Sequence, residues 1–229
     1  MRPKPRPVPL WQRRLWYRGR HYLNPFAVLR DSFFRSLARD GGDTFDGIAI
    51  CSFALDDTEE TEERFVNYVR EALALIRTHD PVRYRRVKRH LHSVVNQSCE
   101  TNAQVNLWAN QCQIDFNRWS LADNGATHPW YIAFVAKLIV HEATHACIHD
   151  HCIPQLGQNR VRVERICISE ANDFLTKLPD EMYDFVAGFR NPMTDAQIAA
   201  CYETEAVSRA AFRHRVWKQL REAFGSLAR

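Results

Sequence analysis

The stretch from Leu138 to His151, which reads LIVHEATHACIHDH, holds the residues best suited to chemistry. Within it, His141, Glu142 and His145 form an HExxH pattern. Side chains four residues apart on a helix point the same way, so both imidazoles can converge on one metal ion. Glu142 then lies beside the ion, where a carboxylate can act on a metal-bound water. The spacing therefore predicts a metal site, with zinc as the expected ion.

The helix that must carry this pattern is apolar on almost every side. Nearly all residues from Trp130 to Val140 are apolar, Pro129 marks the expected start, and Ile148 the approximate end. In a soluble chain, such a helix lies buried at the centre of a domain. Two histidines and a glutamate at its end are costly to bury without a partner, which favours a metal over hydrogen-bonded core histidines.

A catalytic zinc site needs a third protein ligand and keeps one position for water. Glu164 follows His145 after eighteen intervening residues, on a second helix predicted from Asn159 to Leu178. A loop of about ten residues lets this helix return antiparallel, which brings its first turns level with the histidines. Apolar residues recur at sevenfold spacing on the face beside Glu164, so that face is expected to be buried: Val161, Ile168 and Leu175.

The resulting pattern, HExxH-x18-E, resembles the gluzincin branch of the zincin metallopeptidases, in which a second helix brings a glutamate to the two histidines. The resemblance covers about residues 112 to 179 and reaches no named family. It implies an α+β, zincin-like fold, helix-dominated, with a small sheet packed behind the HExxH helix. It also implies that a strand ahead of this helix, here within Val105 to Phe116, pairs with an extended peptide substrate.

The same resemblance implies supporting residues around the zinc. Several gluzincins carry an acidic residue four positions after the ligand glutamate, and this chain has Ile168 there, so Asp173 is the substitute expected to orient a histidine. An oxyanion donor is also implied, with three candidates that the sequence does not separate: Tyr183, Tyr202 and His214.

Other residues compete for the third ligand position. Glu170 shares the predicted helix with Glu164, but six residues correspond to about 240° of rotation, so both cannot face one ion. His151 stands where the metzincin pattern HExxHxxGxxH has its third histidine. Ile148 replaces the glycine of that pattern, and a β-branched residue resists the sharp turn. A thiolate from Cys147 or Cys152, at the end of the HExxH helix, remains a further alternative.

The expected function is zinc-dependent hydrolysis of a peptide bond in a peptide or protein substrate, with Glu142 as the general base. The alternative is a zincin-fold protein with weak or lost hydrolysis, which binds a partner or nucleic acid through a basic surface. A net charge of +4 is too small to indicate nucleic-acid binding by itself.

The chain divides into a basic N-terminal extension, residues 1–40, and a metallopeptidase domain, residues 41–229. The extension has ten Arg or Lys against two Asp, and it reads as an arm followed by an amphipathic helix. In the domain, periodicity predicts a strand within Gly47 to Leu55, a helix to about Thr78, a short basic helix after Pro81, and a strand from Leu91 to Val95. A last helix is expected from Thr194 to Phe224.

The seven cysteines are odd in number and scattered through apolar surroundings. Since the opening residues lack the apolar run of a signal peptide, these cysteines are expected to be reduced core residues of a cytoplasmic protein. No stretch reaches eighteen uninterrupted apolar residues, so we expect no transmembrane helix.

Overall fold

The computed structural model describes residues 43–52, 59–97, 99, 101–107, 109–116, 128–153, 155, 159–182, 186–188, 190 and 193–200. The predicted N-terminal extension lies outside these residues, as does most of the last predicted helix, of which residues 195–200 are described and helical. The three candidate oxyanion donors also lie outside them.

The described chain holds two strands, two helices, three strands and two further helices. In order they are β1 (Asp43–Phe45), β2 (Ile48–Ser52), α1 (Glu59–His79), α2 (Pro81–His90), β3 (Ser93–Asn96), β4 (Ala103–Asn106), β5 (Gln111–Ile114), α3 (His128–Asp150) and α4 (Arg160–Leu175), followed by a 3-10 turn (Asp180–Met182). The four predicted helices that fall within the described residues, and the strands near residues 50 and 94, are confirmed, with ends that differ by a few residues.

The strands form one mixed sheet in the order β1-β2-β3-β5-β4. β2, β3 and β5 run parallel, while β1 and β4 are antiparallel strands at the two edges. Asp46 and Gly47, both at positive φ, form the two-residue turn between β1 and β2, a geometry that an Asp-Gly pair adopts readily. The α+β prediction is therefore confirmed.

One strand prediction was wrong. The segment from Val105 to Phe116 is not a single strand but a hairpin of β4 and β5, which pairs Val105 with Cys112. The chain reverses near Asn110, whose φ of 50° lies in the left-handed region that asparagine tolerates well. All of β5 is buried because it lies inside the sheet, so alternation along the sequence did not separate the two strands.

Helix α3 is the centre of the domain. It packs against α1, α2 and α4 and against β4 and β5, which places the small sheet behind it as expected. Ala133, Ala136, Ile139 and Val140 are almost completely buried in the main core. These helices and strands can therefore position the polar end of α3 through direct contacts.

The length and composition of α3 also resemble those of a membrane span. Its stretch Pro129–Asp150 has a mean hydropathy of 1.2, but 67% of the tested window is buried inside the protein. The core helix of a soluble protein passes the same test, so this finding is weak support for a span. The absence of a transmembrane helix stays a prediction.

Candidate metal centre

The two histidines of the HExxH pattern meet at their Nε2 atoms. His141 and His145 lie one turn apart on α3, and the two Nε2 atoms are 3.2 Å apart. Both side chains keep partial solvent exposure, 19% and 11%, although the rest of the helix around them is buried. Solvent can therefore reach the point on which the two rings converge.

Glu164 reaches the same point from α4. Its Oε2 lies 3.3 Å from His141 Nε2, and its Oε1 lies 3.2 Å from His145 Nε2. α4 packs along α3, with Val163, Cys167, Ala171 and Phe174 forming its buried stripe. This stripe differs from the predicted one, since Val161 and Ile168 are only half-buried.

These distances allow a test of whether the donors fit zinc. Nitrogen and oxygen ligands bind zinc at about 2.0–2.1 Å, so two of them at the corners of a tetrahedron lie about 3.3 Å apart. The three donor pairs are separated by 3.2, 3.2 and 3.3 Å. The two Glu164 distances belong to different carboxylate oxygens, so the three side chains, rather than three single atoms, lie at the separations that a tetrahedral zinc site requires.

Gln155, in the loop between α3 and α4, sets the tautomer of His145. Its Nε2 donates to the backbone carbonyl of His145 at 2.7 Å, and its Oε1 lies 2.9 Å from His145 Nδ1. Because a carbonyl oxygen only accepts, Nδ1 must carry the ring proton, which leaves the Nε2 lone pair free for a metal. Sequence reasoning missed this residue, because a lone glutamine in a loop carries no spacing signal.

Glu142 is buried at the back of the site, with 5% of its surface exposed. Burial raises the pKa of its carboxyl, while His141 and His145 act in the opposite direction. The backbone N–H of Val105, on the edge strand β4, donates to this carboxylate. A carboxyl whose pKa is raised, beside two histidines, is suited to take up and return a proton.

The charges of the donor cluster are coupled. Burial alone would raise the pKa of Glu164, but hydrogen bonds from His141 and His145 hold it well below its usual range. Burial alone would lower the pKa of His145, but hydrogen bonds with Cys167 and Glu164 raise it well above the usual value. Without a metal, a proton held between Glu164 and His145 therefore takes the place that a cation would occupy.

A fourth donor, Cys167, adjoins this cluster. Its Sγ and a ring nitrogen of each of His141 and His145 all lie within 4.8 Å of one another. Cys167 stands three residues after Glu164 on α4, so both side chains lie on neighbouring parts of one helix face. Cys147 and Cys152 were the thiolate candidates in the sequence, but the structure brings Cys167 to the histidines instead.

Glu170 and Asp173, on α4, bind arginines of α2 rather than the histidines. Glu170 Oε2 accepts from Arg83 Nε at 3.0 Å and from Arg86 Nη1 at 2.6 Å. Asp173 accepts from Arg83 at 3.2 Å. The prediction that Asp173 orients a histidine is therefore wrong. Gln155 is the residue that contacts the His145 ring. Arg83 is itself largely buried, with 10% of its side chain exposed.

His151 points away from the cluster, at the end of α3. Its Nδ1 lies 2.7 Å from the carbonyl oxygen of Cys147, and its ring centroid is 6.4 Å from that of His90.

Cys152 is a free, buried cysteine. The six cysteines within the described residues are all free, as expected for reduced thiols.

No protein-family model, no curated protein and no solved structure matches this chain.

Proposed function

We propose that the protein is a zinc-dependent metallopeptidase of zincin-like architecture. The observation that carries the proposal is the convergence of His141 Nε2, His145 Nε2 and the two carboxylate oxygens of Glu164, with one oxygen 3.3 Å from His141 Nε2 and the other 3.2 Å from His145 Nε2. Three protein donors on one side of a tetrahedral ion leave one position open, as catalytic zinc sites require. Zinc bound there would polarise a carbonyl and lower the pKa of water.

The protein's own residues divide the remaining work. His141, His145 and Glu164 hold the ion, and Gln155 keeps His145 in the tautomer that can bind it. Glu142 takes the proton of the attacking water and returns it to the leaving amine. The Val105 N–H donates to the Glu142 carboxylate and thereby orients it.

The substrate class follows from the position of β4. This strand is at the edge of the sheet, and its Val105 N–H reaches Glu142, so the edge lies beside the metal donors. An extended peptide can add to such an edge through backbone hydrogen bonds. We therefore propose an unfolded peptide or protein segment as substrate.

The test compares metal content and turnover in three variants. His141→Ala should empty the site, whereas the matched change His151→Ala should leave about one zinc per chain. Glu142→Gln should keep zinc and fold but lose hydrolysis of a casein-like substrate, because an amide cannot take a proton. Wild-type protein without a divalent ion under zinc-replete conditions would contradict the zinc site. Unchanged turnover in Glu142→Gln would contradict the role of Glu142.

A further inference from the structure

We propose that Cys167 is a fourth ligand of the zinc ion and closes the site in the resting protein. The inference rests on the zinc site proposed above and concerns the regulation of that site. The juxtaposition that carries it is a fully buried thiol whose Sγ lies within 4.8 Å of ring nitrogens of both His141 and His145.

The side of the His145 ring that the thiol meets can be deduced. Cys167 and His145 are hydrogen-bonded through their side chains. The Nδ1 atom of His145 is already used by Gln155 at 2.9 Å, so the thiol lies on the Nε2 side. This is the nitrogen that also faces His141 and Glu164. The thiol and the carboxylate of Glu164 therefore both approach the pair of histidine nitrogens.

The backbone of α4 explains why the fourth donor is available. Glu164 and Cys167 are three positions apart on α4, so a helix that places one side chain beside the histidines places the other nearby. Cys167 packs with Ile148 and Val163, and this small apolar cluster holds the thiol at its edge beside the histidines. Binding forms one Zn–S bond and releases the thiol proton to solvent.

A thiolate in the fourth position changes what the site can do at rest. Zinc with four protein ligands is typical of closed, structural sites, whereas catalytic sites keep one position for water. The thiolate therefore slows hydrolysis in the wild-type protein without abolishing it, because each turnover requires Cys167 to leave the ion or the coordination number to rise.

X-ray absorption at the zinc edge of the full-length, zinc-loaded protein tests this directly. Wild type should show one sulfur at about 2.3 Å in addition to nitrogen and oxygen at about 2.0–2.1 Å. Cys167→Ser should lose the sulfur, retain about one zinc per chain, and bind zinc about tenfold or more weakly in competition with a chelator. The control Cys147→Ser changes a thiol on α3 outside the donor cluster and should keep the sulfur.

Two results would overturn the inference: a wild-type spectrum with nitrogen and oxygen only, or a sulfur that persists in Cys167→Ser. If Cys167→Ser does not fold, Cys167→Ala replaces it, and the wild-type spectrum decides by itself whether any thiolate binds. Failure of the proposed function would look different, because the protein would then bind no zinc or would not hydrolyse peptides in any variant.

Discussion

At the scale of single residues, metal binding depends on which ring nitrogen of each histidine presents its lone pair to the proposed zinc position. His145 shows this best, because one ring nitrogen meets Gln155 while the other faces His141 and Glu164. A histidine with a free choice of tautomer would present its lone pair on the wrong nitrogen part of the time. Gln155 removes that choice, and its own orientation is fixed by the His145 carbonyl.

We expect Gln155→Leu to weaken zinc affinity by about 10- to 100-fold, because both hydrogen bonds to His145 are lost. Gln155→Glu keeps an acceptor for Nδ1–H but loses the donor to the carbonyl, so it should retain more affinity than Gln155→Leu. Competition with a chelator of known affinity measures both. Equal affinity in wild type and Gln155→Leu would show that the tautomer needs no support from this residue.

At the scale of elements, two acidic residues of α4, Glu170 and Asp173, bind arginines of α2, whereas Glu164 of the same helix faces the histidines. Arg83 and Arg86 both donate to Glu170, and Arg86 also approaches Thr144 of the HExxH pattern at 3.4 Å. These contacts join α2, α3 and α4. Together with the packing of α4 on α3, they contribute to the rotation of α4 that directs Glu164 towards the histidines.

The competition between third ligands can be settled with matched alanine variants. Glu164→Ala should lose zinc, whereas Glu170→Ala should keep about one zinc per chain and His151→Ala should bind as wild type does. Glu170→Ala should still lower the free energy of unfolding by about 1–3 kcal/mol, because Arg83 and Arg86 lose an ionised acceptor.

Metal analysis and denaturant titration separate these two effects. Asp173→Ala is the control for stability, since Asp173 is 61% exposed and its ion pair with Arg83 should contribute little. Tight zinc binding in Glu164→Ala, together with loss of zinc in either rival variant, would contradict the proposed ligand set.

At the scale of the whole molecule, Asp80 couples the start of α2 to the rest of the domain. Its side chain accepts from the Arg83 backbone N–H at 3.1 Å, from the Arg83 guanidinium at 2.7 Å, and from Lys177 at 2.9 Å. Burial alone would raise the pKa of Asp80, but the hydrogen bonds from Arg83 and Lys177 outweigh it and lower the pKa below 3.8.

This lowered pKa predicts a loss of stability in acid. In the unfolded chain Asp80 takes up a proton near pH 3.8, and in the folded protein only at lower pH. The stabilisation is therefore complete above the unfolded value and is lost as pH falls through the folded one. Asp80→Asn should be less stable than wild type by about 1–3 kcal/mol at pH 7. The gap should narrow towards pH 3 in denaturant titrations, whereas a gap that does not change with pH would contradict the prediction.

Much of this protein could be derived from local patterns. Local spacing is enough to predict the HExxH pattern, the apolar helix that carries it and the helices on either side. These patterns span only a few residues, so they can be recognised without knowing which distant residues are in contact. The α+β class was implied by the resemblance of the HExxH-x18-E pattern to gluzincins. The β4–β5 hairpin was missed because both strands belong to one continuous run, and burial inside the sheet removed the alternation that separates strands.

Only the tertiary structure could decide which distant side chains share a point in space. Glu164 was one of several candidates from spacing, while Gln155 and Cys167 gave no signal as ligands or partners. Their positions depend on how α4 is rotated against α3, and the ion pairs of Arg83 and Arg86 with Glu170 contribute to that rotation. Such contacts join residues more than eighty positions apart, a separation over which local patterns carry no information. The chemistry of the histidines was therefore readable from the sequence, whereas the ligand set around them was decided by packing.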